Sequence, residues 1–126
     1  MQFIWIGIGG ALGSILRFLL QSRVQHGAAG VFPYGTLTVN LLGSAVIGIL
    51  AGLFESTAVS QQLKLFLMVG ILGGFTTFSS FSLENMQLFK SGHARLAVIY
   101  ILTSNVIGIT LALGGFFSAR WALRFF

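Results

Sequence analysis

Four apolar runs, each long enough to cross a lipid bilayer, constrain this chain more than any other feature. They cover roughly residues 3–22, 35–54, 64–89 and 95–117, and a spanning helix needs about 20 mostly apolar residues. Hydrocarbon offers no partner to backbone N–H and C=O groups, so each run must pair them internally as a helix. The expected fold class is an all-α integral membrane protein with four transmembrane helices, a single domain over residues 1–126. Composition removes the soluble alternative, because 56% of residues are hydrophobic and 7% charged, against about 25% charged in an average soluble domain.

The connections between the runs are legible too. "QSRVQHGAAGVFPYG" holds the only proline, Pro33, "ESTAVSQQ" is a polar turn, and "FKSGHAR" adds two positive charges and a glycine. The first run lacks a basic leader beyond the terminal amine, and no small-x-small cleavage site follows it. It is therefore expected to remain as a span. Without cysteine there is no disulfide framework, thiolate nucleophile or cysteine metal site. The net charge of +5 is scattered, so nucleic acid is not an expected partner and the cations read as anchors at the edge of the lipid bilayer.

Four spans place both termini on one side. That side collects Lys64, Arg120 and Arg124, while the other collects Arg17, Arg23, Lys90 and Arg95. If Arg17 lies inside its helix, the split becomes three against three. A bias in Lys and Arg normally sets orientation. A chain with almost no bias can insert both ways and pair with its own inverted copy, unless other cues decide. Glycine pairs at Gly9/Gly13, Gly48/Gly52 and Gly70/Gly74 mark helix faces able to approach closely.

The polar residues inside the runs narrow the chemistry. A lone serine or threonine in a membrane helix usually bonds back to a carbonyl one turn earlier. The cluster Thr76, Thr77, Ser79, Ser80, Ser82, Glu84 and Asn85 is too dense for that reading alone, and Asn40 and Asn105 carry amides that need partners. Ser44 follows Asn40 by one turn, and Tyr100 and Ser104 lie close to Asn105. Most of these groups donate hydrogen bonds. Glu84 is the one acid in the set and sits toward the end of its run, and neither His26 nor His93 falls within a run. Proton-coupled transporters and cation channels need an intramembrane acid; a donor-rich, acid-poor lining suits an anion. Phe78 and Phe81 are three apart, hence on one helix face, and can present positive ring edges to an anion or simply pack. Gly73-Gly74 before Phe75-Thr76-Thr77 predicts a helix break, since glycine costs a helix about 1 kcal/mol. Such a break survives in a membrane only where protein or an ion satisfies the freed groups.

The stretches "GGALGSILRF", "GTLTVNLLG" and above all "GILGGFTTFSSFS" resemble the Fluc (CrcB) family of fluoride channels, over essentially the whole chain. The resemblance implies an antiparallel, dual-topology homodimer with two fluoride pores, the third helix broken near Gly73-Thr77. It also implies a central structural sodium ion held by the carbonyls of Gly73 and Thr76 from both copies. Phe78 and Phe81 would line the pores, Asn40 would donate to the anion, and Ser79 and Ser80 would continue a polar track. Two departures stand out. Ser80 occupies a position that is often threonine, and Ile109 follows Gly108 where many members carry serine. The fourth-helix part of the track is then shorter, or carried by Asn105. The implied function is passive, fluoride-selective export across the cell inner (plasma) membrane, with no enzymatic step. The rival is a small dual-topology multidrug transporter, which needs an acid in the first span, and "FIWIGIGGALGSILRFLL" has none.

Overall fold

The computed structural model describes residues Met1–Phe126, wound almost entirely into helix. Helix α1 spans Gln2–Gly27, α2 Tyr34–Ser56, α3 residues 61–75, α4 Phe78–Lys90 and α5 Ala94–Ala122, with a 3-10 turn at Leu123–Phe125. Helices α3 and α4 are the two halves of one span, Gln61–Lys90. The molecule is thus the all-α, four-span protein that the apolar runs predict.

The helices run past those runs. The 26 residues of α1 cover about 39 Å at 1.5 Å per residue, more than the roughly 30 Å of hydrocarbon. Its polar end therefore projects into the headgroup region while still closing its own hydrogen bonds. His26, expected in a loop, sits in that last turn with Nδ1 2.7 Å from the Ser22 carbonyl.

Lipid tails are as apolar as leucine, so helices in a bilayer associate through close packing and hydrogen bonds. Only 20 of 126 residues are buried within the protomer, which leaves backbone approach to do much of the work. Helix α1 packs along α3, and α2 along α5. All three glycine pairs lie on these contacts. A side chain at Gly9 would stand 2.5 Å from the Phe66 carbonyl, and one at Gly13 would collide with the Ile71 carbonyl. Gly74 faces the Gly10 carbonyl in the same seam, and Gly48 and Gly52 face the Ala112 and Phe116 carbonyls of α5. Helix α4 leans on α5 through Phe81, Leu88, Ala97 and Tyr100.

At the side that holds both termini, Arg120 donates to Glu55 at 2.8 Å and lies 5.8 Å from the centre of the Phe116 ring. Both partners are exposed, so the pair is worth about 0–1 kcal/mol. It joins the ends of α2 and α5. Within α3, Leu65–Leu72 winds as a π-helix, a wider coil often found beside functional sites.

A break in the third span and the cleft beside it

The break falls later than Gly73-Gly74. Gly73 has helical dihedrals, φ −62° and ψ −36°, and the helix continues through Phe75. Thr76 and Thr77 are extended, with φ/ψ of −86°/158° and −150°/118°. Gly74 serves packing, letting α1 come close, while a side chain at Gly73 would meet nothing nearer than 4.0 Å. Two-sided capping explains the break itself. The Thr76 N–H and hydroxyl both donate to the Leu72 carbonyl, at 3.0 and 2.9 Å, and close α3. Thr77 Oγ1 accepts the Ser80 N–H at 3.1 Å and opens α4, the usual service of a threonine N-cap.

Asn40 of α2 holds the extended pair in place. Its Nδ2 donates to the Thr77 carbonyl at 3.0 Å, and its Oδ1 accepts the Thr77 N–H at 2.8 Å. An amide nitrogen carries two protons, so one N–H is left after the clamp. Gly43, one turn along α2, gives its space to the Thr76 methyl. From α1, Arg17 reaches the break and donates to the Thr76 carbonyl at 3.3 Å. That half-buried position takes Arg17 out of the membrane-edge charge count and leaves three cations on each side.

The break borders one cleft of about 350 Å³, lined by Asn40, Gly43, Ser44 and Ile47 of α2, Met68, Leu72 and Gly73 of α3, then Thr76, Thr77 and Phe78. No charged side chain lines it. Helix α4 points its N-terminal, positive dipole end toward Thr77 and Phe78, an arrangement that favours anions.

The sequence-predicted residues divide in three. Asn40, Gly73, Thr76 and Phe78 meet in the cleft. Ser79 and Ser80 stand next to it, their hydroxyls 3.3 and 3.1 Å from Thr77 Oγ1. The Phe78 and Phe81 rings are neighbours at 5.5 Å, but Phe78 is 78% exposed on the protomer and Phe81 only 9%. Phe81 instead packs against the fully buried Tyr100, 5.0 Å away and tilted 61°. Asn105 lies apart, exposed on α5 and bonded to its own Ile101 carbonyl at 2.8 Å. Ser104, one residue earlier, keeps a buried Oγ with no protein partner.

No cluster of His, Asp and Glu side chains could bind a cation at the break, so only neutral oxygens are on offer there. Two carbonyls suit that task. Thr77 gives Asn40 the N–H that an unbroken helix would give to the Gly73 carbonyl. The Thr76 carbonyl receives the single Arg17 contact and has a second lone pair. Neutral carbonyl oxygens suit a hard cation, and the Arg17 guanidinium on the Thr76 carbonyl competes with one.

The sequence assigns no role to Glu84 and does not single out Gln21 or Thr36. Glu84 lies toward the end of its span, midway along α4. Thr36 donates to its Oε1 at 2.5 Å and Tyr100 to its Oε2 at 2.8 Å. Gln21 Nε2 donates to Thr36 Oγ1 at 3.1 Å. The one hint in the sequence is that Thr36 sits in "GTLTVNLLG", one turn before Asn40.

The family model described as CrcB-like protein, Camphor Resistance (CrcB), matches residues 4–116. The chain is 43% identical over 112 residues to the fluoride-specific ion channel FluC of Azobacteroides pseudotrichonymphae, covering 88% of this chain and 90% of that one. It is 42% identical over 121 residues to the protein of the same name from Magnetococcus marinus, covering 95% and 98%. The Thermus thermophilus FluC is 44% identical over 115 residues, covering 91% and 92%.

Proposed function

The chain belongs to the CrcB-like family, and from that premise we propose how it works as a fluoride-selective channel of the cell membrane, passing the ion down its gradient. The observation that carries this reading is a cleft bordered by neutral donors and a ring, with no carboxylate on its wall. The multidrug-transporter alternative has no acid in α1 to work with.

Fluoride is small and holds its water tightly, so a pathway must replace that shell with donors at short range. The spare Asn40 N–H, the hydroxyls of Ser79 and Ser80 and the N-terminal end of α4 supply donors without a fixed anion. The Phe78 and Phe81 edges add positive potential without water. Neutral donors hold fluoride weakly enough for it to leave, as conduction requires. Along α5, the unpaired hydroxyl of Ser104 continues the path better than Asn105, whose Nδ2 already bonds its own helix. Donors set at fluoride's hydrogen-bond distance would fit the larger chloride poorly.

The reading includes an antiparallel homodimer. Three cations on each side give neither orientation an advantage, and the highly exposed Phe78 gains cover from a second copy. Two copies related by a two-fold axis would bring four oxygens, from Gly73 and Thr76 of each, around one sodium ion. That ion would supply fixed positive charge at the junction of the subunits.

Efflux from liposomes loaded with fluoride, or with chloride as control, tests the function. Fluoride release without chloride release is expected; equal release of both would refute it. Single cysteines added near each terminus and labelled from either face of the membrane test the topology, and labelling from one face only would rule out inverted pairs.

A further inference from the structure

We propose that Gln21 and Thr36 are positioning residues for the anion path, acting through Glu84 and Tyr100 to fix the edge of the Phe81 ring. The proposal rests on the reading of this chain as a fluoride channel in which Phe81 borders the path. The four side chains form a directed relay that draws one residue from each span. Gln21 Nε2 has only protons to offer, so Thr36 Oγ1 must accept from it at 3.1 Å. The single Thr36 proton is then committed to Glu84 Oε1. Tyr100 Oη donates to Oε2 at 2.8 Å. Both carboxylate oxygens are thereby held.

No cation assists. The one ion pair in the protein is Arg120–Glu55, at the termini side. The orientation of the Glu84 carboxylate is thus set by the two hydroxyls, one of which is steered by Gln21. Thr36 is 1% exposed and Tyr100 0%, so neither hydroxyl has bulk water as a substitute partner. At the other end of the Tyr100 side chain, its ring meets Phe81 nearly edge-on, and Phe81 meets Phe78. Tethering the phenol oxygen therefore fixes the ring that Phe81 rests against.

Release at Thr36 has two effects on the path. Tyr100 loses its fixed acceptor and Phe81 its rigid backing, so the spacing that excludes chloride relaxes. A carboxylate freed at one oxygen also turns toward other donors, among them the serine hydroxyls of α4 that the path needs. Gln21 matters because its N–H occupies a lone pair of Thr36 Oγ1 and so keeps the hydroxyl proton turned toward Glu84.

The test compares Thr36→Val, Thr36→Ser and Gln21→Met as purified full-length proteins, by size-exclusion elution and by fluoride and chloride efflux from liposomes. Valine keeps the shape without the hydroxyl, serine keeps the hydroxyl without the methyl, and methionine keeps the length without the donor. Thr36→Val and Gln21→Met are expected to elute as wild type while their fluoride-over-chloride preference falls roughly tenfold, the factor that one lost hydrogen bond represents. Thr36→Ser should keep the wild-type preference. Unchanged preference in both Val and Met variants overturns the proposal, as does a serine variant as impaired as valine, which would assign Thr36 to packing. If Thr36→Val fails to elute as wild type, the half-buried Gln21→Met decides alone. Failure of the wild-type protein to conduct fluoride would instead sink the channel reading itself.

Discussion

Asn40 and Thr77 meet as a side-chain amide against a peptide group, each donating once and accepting once, at 3.0 and 2.8 Å. A neighbouring helix thus gives the Thr77 N–H the acceptor that the preceding helical turn would have given. The clamp lets two extended residues sit inside a membrane span.

Removing it tests the clamp and the proposed anion contact of Asn40 together. Asn40→Ala leaves the Thr77 N–H without a partner, at a cost of about 1–3 kcal/mol, while the Thr77 carbonyl keeps its place as the N-cap acceptor of α4. Thermal unfolding in detergent should show a lower midpoint, and fluoride efflux should be lost. Asn40→Asp keeps the acceptor for the Thr77 N–H but turns an anionic oxygen on the Thr77 carbonyl. It too should abolish flux. Robust fluoride efflux in the Asp variant would remove Asn40 from the list of anion donors.

The two phenylalanines should separate in stability and agree in function. Phe81 is buried against Tyr100, so Phe81→Ile is expected to cost about 1–3 kcal/mol. Phe78 is mostly exposed on the protomer, and Phe78→Ile should change protomer stability by less than about 0.5 kcal/mol. Both lose the ring edge, and both should conduct fluoride poorly. Wild-type flux in the two variants would return these rings to packing.

Glycine substitutions offer a contrast within single helices. Gly13→Ala and Gly48→Ala place a methyl group on the Ile71 and Ala112 carbonyls, so the helices must part, at about 1–3 kcal/mol or more. Gly7→Ala meets nothing within 4 Å and should stabilise α1 by up to about 1 kcal/mol. Unfolding midpoints of the three variants check this ordering.

Sodium dependence of assembly should be visible without any transport. Exchange of the purified protein into potassium or an organic cation is expected to lower the dimer fraction on size exclusion, and sodium should restore it. A dimer indifferent to the cation would remove the carbonyls of Gly73 and Thr76 from any metal role.

The spans and their close contacts are legible in the sequence because they depend on local composition and on the period of one helix. Gly9/Gly13 and Gly70/Gly74 mark contact faces by spacing alone, since small residues four apart always share a face. The location of the break is not legible in this way. Gly73-Gly74 carries the weaker helix propensity, yet the chain stays helical there and opens at Thr76 and Thr77, because Asn40, 37 residues away in sequence, supplies the missing partners. Glu84 is opaque for the same reason. Its donors lie 48 residues earlier and 16 later, and no periodicity connects them. Phe78 and Phe81 share a face as expected, but their different depths depend on α5.

The relay from Gln21 to Tyr100 has a consequence for biogenesis. Spans enter the bilayer in order from the ribosome, and Tyr100 belongs to the last. Until it arrives, Glu84 stands in hydrocarbon with one of its two donors missing, a costly state for a carboxylate. Insertion of α5 completes the carboxylate's partners and brings Gly48 and Gly52 their packing surface in one event. A chain truncated before residue 94 lacks both the Tyr100 donor and that packing surface, so its third span carries a carboxylate only half satisfied.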